Sequence, residues 1–118
     1  VDTPTRAELA DTTPIEGSAQ VRGRVEKARQ IAQERFRDYS FALNSQIPSE
    51  LLRTRFKAQQ KVMITLHNLI DREEITARGF HKLLRLCWSI ADLRELDVPG
   101  IEELETAMSL RSATELAA

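Results

Sequence analysis

Cysteine occurs once, at Cys87, so no internal disulfide can form and a cysteine-based zinc site is excluded, as suits a reducing compartment. Aromatic residues make up 5% of the chain and there are four glycines and four prolines, so the core must be aliphatic and its elements largely uninterrupted. No apolar run approaches the roughly 20 residues that span a bilayer. The first sixteen residues carry no basic stretch followed by an apolar one and do not read as a signal peptide, so a cytoplasmic setting is expected. No segment alternates apolar and polar residues with β-branched enrichment, and no internal repeat is visible. These absences predict an all-α domain: a compact helical bundle of four to five helices. A start at Val1 without methionine leads us to expect part of a longer protein.

At 42% apolar and 30% charged, the 118 residues suit one soluble domain with one modest core. The formal charge of −1 hides a polarity along the chain. Residues 17–61 hold ten Lys or Arg against four acids, whereas residues 92–118 hold two against seven. Arg22, Arg24, Lys27, Arg29, Arg53, Arg55 and Lys57 form the basic half, a candidate surface for an anion or an acidic partner. Solvated helix faces explain the same residues equally well.

Residues 1–16, with two prolines and four threonines, read as a linker or extended lead-in, leaving residues 17–118 as the domain. Ser18 is a plausible cap for a long helix to about Tyr39, with Val21, Val25, Ala28, Ile31, Ala32 and Phe36 at three- and four-residue steps. Phe41 to Gln46 is a connector in which Asn44 and Ser45 suit a turn. Pro48 fits the first turn of a short helix to Phe56. A third helix is expected over Lys57 to Ile70, with Val62, Leu66, Leu69 and Ile70 inward and Met63 at the margin. Thr76 is the expected cap of a fourth, whose stripe is Phe80, Leu83, Leu84, Cys87, Ile90 and Ala91. Pro99 opens a last helix with Ile101, Leu104, Ala107 and Met108 on one side and Glu102, Glu103 and Glu105 on the others.

The fourth helix carries the most information. It begins just before Arg78 with no acid in its first turns, although backbone dipoles leave partial positive charge at that end. An arginine there gives up a little stability, which makes sense if a phosphate or other anion comes to meet it. A solvated arginine near Glu74 is the plainer alternative. Arg85, two turns on, lies on the same side of the helix. His67 and His81 have no companion at ligand spacing and suit the surface or core edge. Cys87 falls on the apolar stripe, and Trp88 suits packing or an interface. Asp71, Glu73, Glu74 and the Glu102–Glu105 group look like solvated helix ends.

Three segments in order resemble the magnesium-chelatase-like branch of the AAA+ ATPases, which includes the YifB/ComM proteins. They are Gly17-Ser-Ala-Gln-Val-Arg-Gly-Arg-Val-Glu-Lys-Ala-Arg29, Asn44-Ser-Gln-Ile-Pro-Ser-Glu-Leu-Leu-Arg53, and Thr76-Ala-Arg-Gly-Phe-His-Lys-Leu-Leu-Arg85 followed by Ser89-Ile-Ala-Asp-Leu93. The likeness covers roughly residues 17–110 and implies the C-terminal helical lid of a larger bacterial ATPase. The chain departs from relatives at Cys87-Trp88, where they often carry Ala-Arg. It has no G-x-x-x-x-G-K-[ST] loop and no apolar strand ending in paired acids, so it is not expected to bind ATP and Mg²⁺ or hydrolyse ATP alone.

The resemblance implies that Arg78 is the sensor-2 arginine, reaching ATP held with Mg²⁺ by a separate P-loop core. It makes Arg85 a candidate contact to the nucleotide or to an adjacent subunit. The implied partners are that core and the other subunits of a homo-oligomeric ring. DNA is a further possible partner, since ComM-type members are linked to branch migration. The alternative is a free-standing helical module that binds DNA or a protein through its basic N-terminal half.

Overall fold

A computed structural model describes the backbone of residues 2–117 and the side chains of residues 17–112. Five helices follow one another: α1 (Asp2–Arg35), α2 (Ser49–Leu52), α3 (Gln60–Asp71), α4 (Ala77–Leu93) and α5 (Ile101–Ala117), with one 3₁₀ turn at Asn44–Gln46. No strand occurs among the described residues, so the fold is all-α as the composition requires. Nor is any helix among them long and apolar enough to cross a membrane.

The long first helix starts well before Ser18, which corrects the expectation of an extended stretch over residues 1–16. Pro4 falls in the first turn, where its missing N–H is not needed, and Arg6 to Ala10 are mostly strong helix formers. Pro14 removes one backbone bond without ending the helix. At its other end α1 stops at Arg35 rather than Tyr39, closing in turns with Phe36 N–H to Ala32 O and Tyr39 N–H to Phe36 O. Of its apolar steps, Ala32 and Phe36 are buried, while Val21 and Val25 stay 46% and 41% exposed. The periodicity therefore reaches the core only in its last two turns.

Helix α4 is the hub. Helices α1, α2, α3 and α5 and the 3₁₀ turn all pack against it. Its predicted stripe is buried in full, joined by Trp88 and Asp92. Trp88 lies beneath Phe56 and donates its indole N–H to the Phe56 carbonyl at 2.9 Å, which satisfies its polar end inside the core. In α3, Val62, Leu66 and Leu69 are buried and Met63 and Ile70 partly so, as the spacing predicts. The short helix is one turn, with Pro48 as its cap residue.

Helices α3 and α4 end alike. Glu73 and Glu95 take positive φ, 59° and 58°, and the following amides reach back, Glu74 N–H to Leu69 O and Leu96 N–H to Ala91 O, both 2.8 Å. Both are reversals that glycine usually makes, here made by glutamate. In α5, Leu104 and Ala107 face inward as expected. Glu103 does not face solvent. It is 4% exposed, takes the Gly100 N–H at 2.7 Å and an Arg94 guanidinium N–H at 2.8 Å, and so closes the α4–α5 connection.

A candidate anion site between helices α4 and α5

Helix α4 begins on a side-chain cap: the Gly79 N–H donates to Thr76 Oγ1 at 3.1 Å. Arg78 lies on the first turn, exposed, with no partner among the described residues. Its first turn contains no acid. Beside it opens a cavity of about 650 Å³, lined by Arg78 and Lys82 of α4 and Arg111 of α5 over Leu83, Leu86 and Leu110. No acidic side chain lines it among the described residues. Gly79 forms part of the wall, and the Arg111 guanidinium comes within 3.6–3.7 Å of where a Gly79 Cβ would stand.

Lys82 and Arg111 were not singled out in the sequence, though both had a signal. Lys82 is one turn beyond Arg78, and Arg111 extends the inward step from Leu104 through Ala107. Three cations around one cavity with a leucine floor suit a multiply charged anion. Arginine forks and a lysine point charge provide directional and non-directional attraction respectively, and the apolar floor limits screening.

Arg85 has a different use. Its Nε donates to the Ile47 carbonyl at 2.9 Å and Nη2 to Ser49 Oγ at 3.3 Å, tying α4 to the segment that enters α2. His81, half-buried, sits with Nε2 3.4 Å from Arg53 Nη1. Its burial, then the charges of Arg53 and Arg85, lower its pKa below the usual histidine value. The His67 ring lies tilted against Phe80, with ring centres 5.1 Å apart. Cys87 is fully buried, and burial followed by the Glu103 carboxylate pushes its thiol up to about 12, too high for a nucleophile.

The basic residues of the N-terminal half are exposed but stand on separate elements. Arg22, Arg24, Lys27 and Arg29 lie on α1, and Lys27 pairs with Glu95 at 2.9 Å. Arg53, Arg55 and Lys57 lie beyond α2, and both α1 and α2 pack on α4. A buried cluster that sequence reasoning did not find lies between α1 and α4. The Arg35 guanidinium grips Asp92 with both terminal nitrogens, donates to Asn44 Oδ1 at 3.2 Å and stacks 4.4 Å from the Trp88 ring. Asn44 Nδ2 donates to Asp92 Oδ2 at 2.8 Å. Asn44 is thereby a buried crosslink, not merely a turn residue.

The chain is 38% identical over 96 residues to uncharacterized protein Rv2897c of Mycobacterium tuberculosis (strain ATCC 25618 / H37Rv) and equally to uncharacterized protein Mb2921c of Mycobacterium bovis. In each case the match covers 81% of this chain and 19% of the relative, so the chain spans about a fifth of the length of these curated relatives. No solved structure matches it. The family described as magnesium chelatase, subunit ChlI C-terminal, matches residues 15–111, which include α2, α3, α4, most of α1 and the first part of α5, and with them Arg78, Lys82 and Arg111. The chain therefore belongs to the magnesium chelatase ChlI C-terminal family.

Proposed function

We propose that this chain is the helical lid of a magnesium-chelatase-like AAA+ ATPase and that Arg78 contacts the terminal phosphates of ATP held by a P-loop core. The observation that carries this reading is Arg78 itself: exposed, unpartnered among the described residues, and at the mouth of a cationic cavity lined by no described acid. A guanidinium there stays charged at any working pH and offers two parallel donors to phosphate oxygens. The residues of the site fit a polyphosphate and not a magnesium ion, since no group of three His, Cys, Asp or Glu stands together among the described residues. Mg²⁺ and the hydrolytic water belong to the core, and this chain contributes charge and position.

The rest of the bundle gives that contact its mechanical meaning. Arg78 is on the helix against which every other element packs, so a phosphate that pulls on Arg78 pulls on the whole lid. Loss of the γ-phosphate would release it. In a ring, the turning of the lid on that release is the means by which one subunit informs the next. The free-standing DNA- or protein-binding module has weaker support, because its cations are divided between α1 and the segment after α2.

The test uses a protein that carries this lid on its own P-loop core. Arg78→Ala should lower ATPase turnover at least about tenfold while leaving the thermal midpoint of the lid in place. Wild-type turnover together with wild-type nucleotide affinity would end the assignment.

A further inference from the structure

The contact proposed for Arg78 leaves the C-terminal end of α4 unused, where an apolar face is open to water. A groove of about 280 Å³ lies there between α1, the 3₁₀ turn and α4. Val25, Leu43 and Leu93 line it and stay between 41% and 46% exposed, and Val21 continues the same face one turn earlier on α1. Contiguous exposed apolar side chains, unlike single scattered ones, mark an interaction surface. We propose that this face is a self-association surface, on which a second copy of the chain seats the acidic corner between its α4 and α5. The inference is independent of the reading of Arg78.

Charge selects the occupant. Arg22 and Arg29 stand seven residues apart along one edge of that α1 face, both exposed with no partner among the described residues. Glu26, the one acid between them in the chain, lies farther round the helix. The one carboxylate in the groove wall among the described residues, Asp92, is already held by Arg35 and Asn44. That calls for an acidic ligand with an apolar side chain to enter the groove. The chain itself carries such a surface. Leu96 is 40% exposed, Asp97 follows it, and Glu102 shares a shallow depression with Leu96. Asp97 and Glu102 are exposed with no partner among the described residues, and Lys61, which borders the depression, pairs with neither. Within one copy, Lys27 and Glu95 at 2.9 Å already join α1 to the acidic residues that follow α4. Between copies, the arginines and acids left over make the same kind of contact around Leu96, and complementary charge fixes the partner.

The 118-residue chain should self-associate in sedimentation equilibrium between about 10 µM and about 1 mM, and its dissociation constant should rise at least about threefold from low to high salt. Arg29→Glu and Asp97→Lys should each weaken association by about tenfold or more. Their thermal midpoints should stay in place, because both side chains are exposed and unpaired within one copy. An equimolar mixture of the two variants should associate to within about threefold of the wild type, since each reversed charge then faces its opposite. Val25→Ser should weaken association at either salt, again with an unchanged thermal midpoint. A chain that stays monomeric up to about 1 mM would overturn the proposal. Association that neither charge reversal moves would overturn it too, as would a mixture that stays as weak as its components, since the contact would then lie on another surface.

Discussion

At the C-terminal end of α4, Asp92 is 1% exposed and is clasped by Arg35, whose guanidinium also lies on Trp88 and meets Asn44. At the N-terminal end of the same helix, Arg78 and Lys82 face solvent with no partner among the described residues. Between them, Arg85 is held half-buried by Ile47 and Ser49. One helix thus carries cations used in two ways, and the difference lies in what packs around them. Where α1 and the 3₁₀ turn cover α4, a charge left unpaired would carry a large desolvation cost, so every donor is matched. At the first turns of α4, water solvates Arg78 and Lys82 and no internal acid is required. Cations needed to fix the bundle are internally paired, while those available to a ligand are left open.

The largest effect expected from this contrast is at Asp92. Asp92→Ala leaves the mostly buried Arg35 without its carboxylate and should cost about 3–5 kcal/mol of unfolding free energy in urea titration. A loss below about 1 kcal/mol would place the pair with ordinary surface ion pairs and remove the contrast. Replacing both residues together, Arg35→Met with Asp92→Leu, should recover much of the loss, because an apolar pair has no charge to desolvate.

Arg85→Ala should cost about 1–2 kcal/mol, since two hydrogen bonds from a charged donor disappear at a partly wet site. Acid gives an effect at a third position. Burial opposes the charge on Glu103, but hydrogen bonds from Arg94, Gly100 and its own backbone N–H, with the Arg94 charge, hold its carboxyl below the usual glutamate value. A depressed folded-state value means that the unfolded chain binds the proton first as pH falls. The Glu103 contribution is therefore complete above the ordinary glutamate value, about 4.3, and is lost as pH drops through the lower folded value. Glu103→Gln should flatten the stability-versus-pH curve in that window, and an unchanged slope would remove Glu103 as its source.

The smallest effect belongs to the open end. Arg78→Ala should change unfolding free energy by no more than about 0.5 kcal/mol, because nothing internal depends on it. A loss comparable to that of Arg85→Ala would mean that Arg78 serves the fold, and the division between the two ends would collapse.

Much of the bundle could be read from residue order. The steps of α3 and α4, the Thr76 cap and the inward face of α5 follow from a 3.6-residue period and a hydroxyl placed to accept an early N–H. Other features are harder to see because their partners are far apart in the chain. Arg35 and Asp92 are 57 residues apart, and Asn44 and Asp92 are 48. A hint existed in Asp92, which stands one turn beyond Trp88 on the buried face of α4, since an acid on such a face needs a cation. Glu103 gave the same hint, one turn before Ala107, but it was read with its exposed neighbours Glu102 and Glu105.

Residue order by itself determined that this chain is helical, where α3 and α4 place their apolar sides, and that Arg78 opens a helix without acidic company. Those are local properties, set by dihedral preference and by spacing along one element. Tertiary packing decided which charges became internal and which stayed open, because desolvation depends on what lies across the gap and not on what is next in the chain. It likewise brought Arg111 from α5 to the side of Gly79, a meeting that neither helix specifies alone.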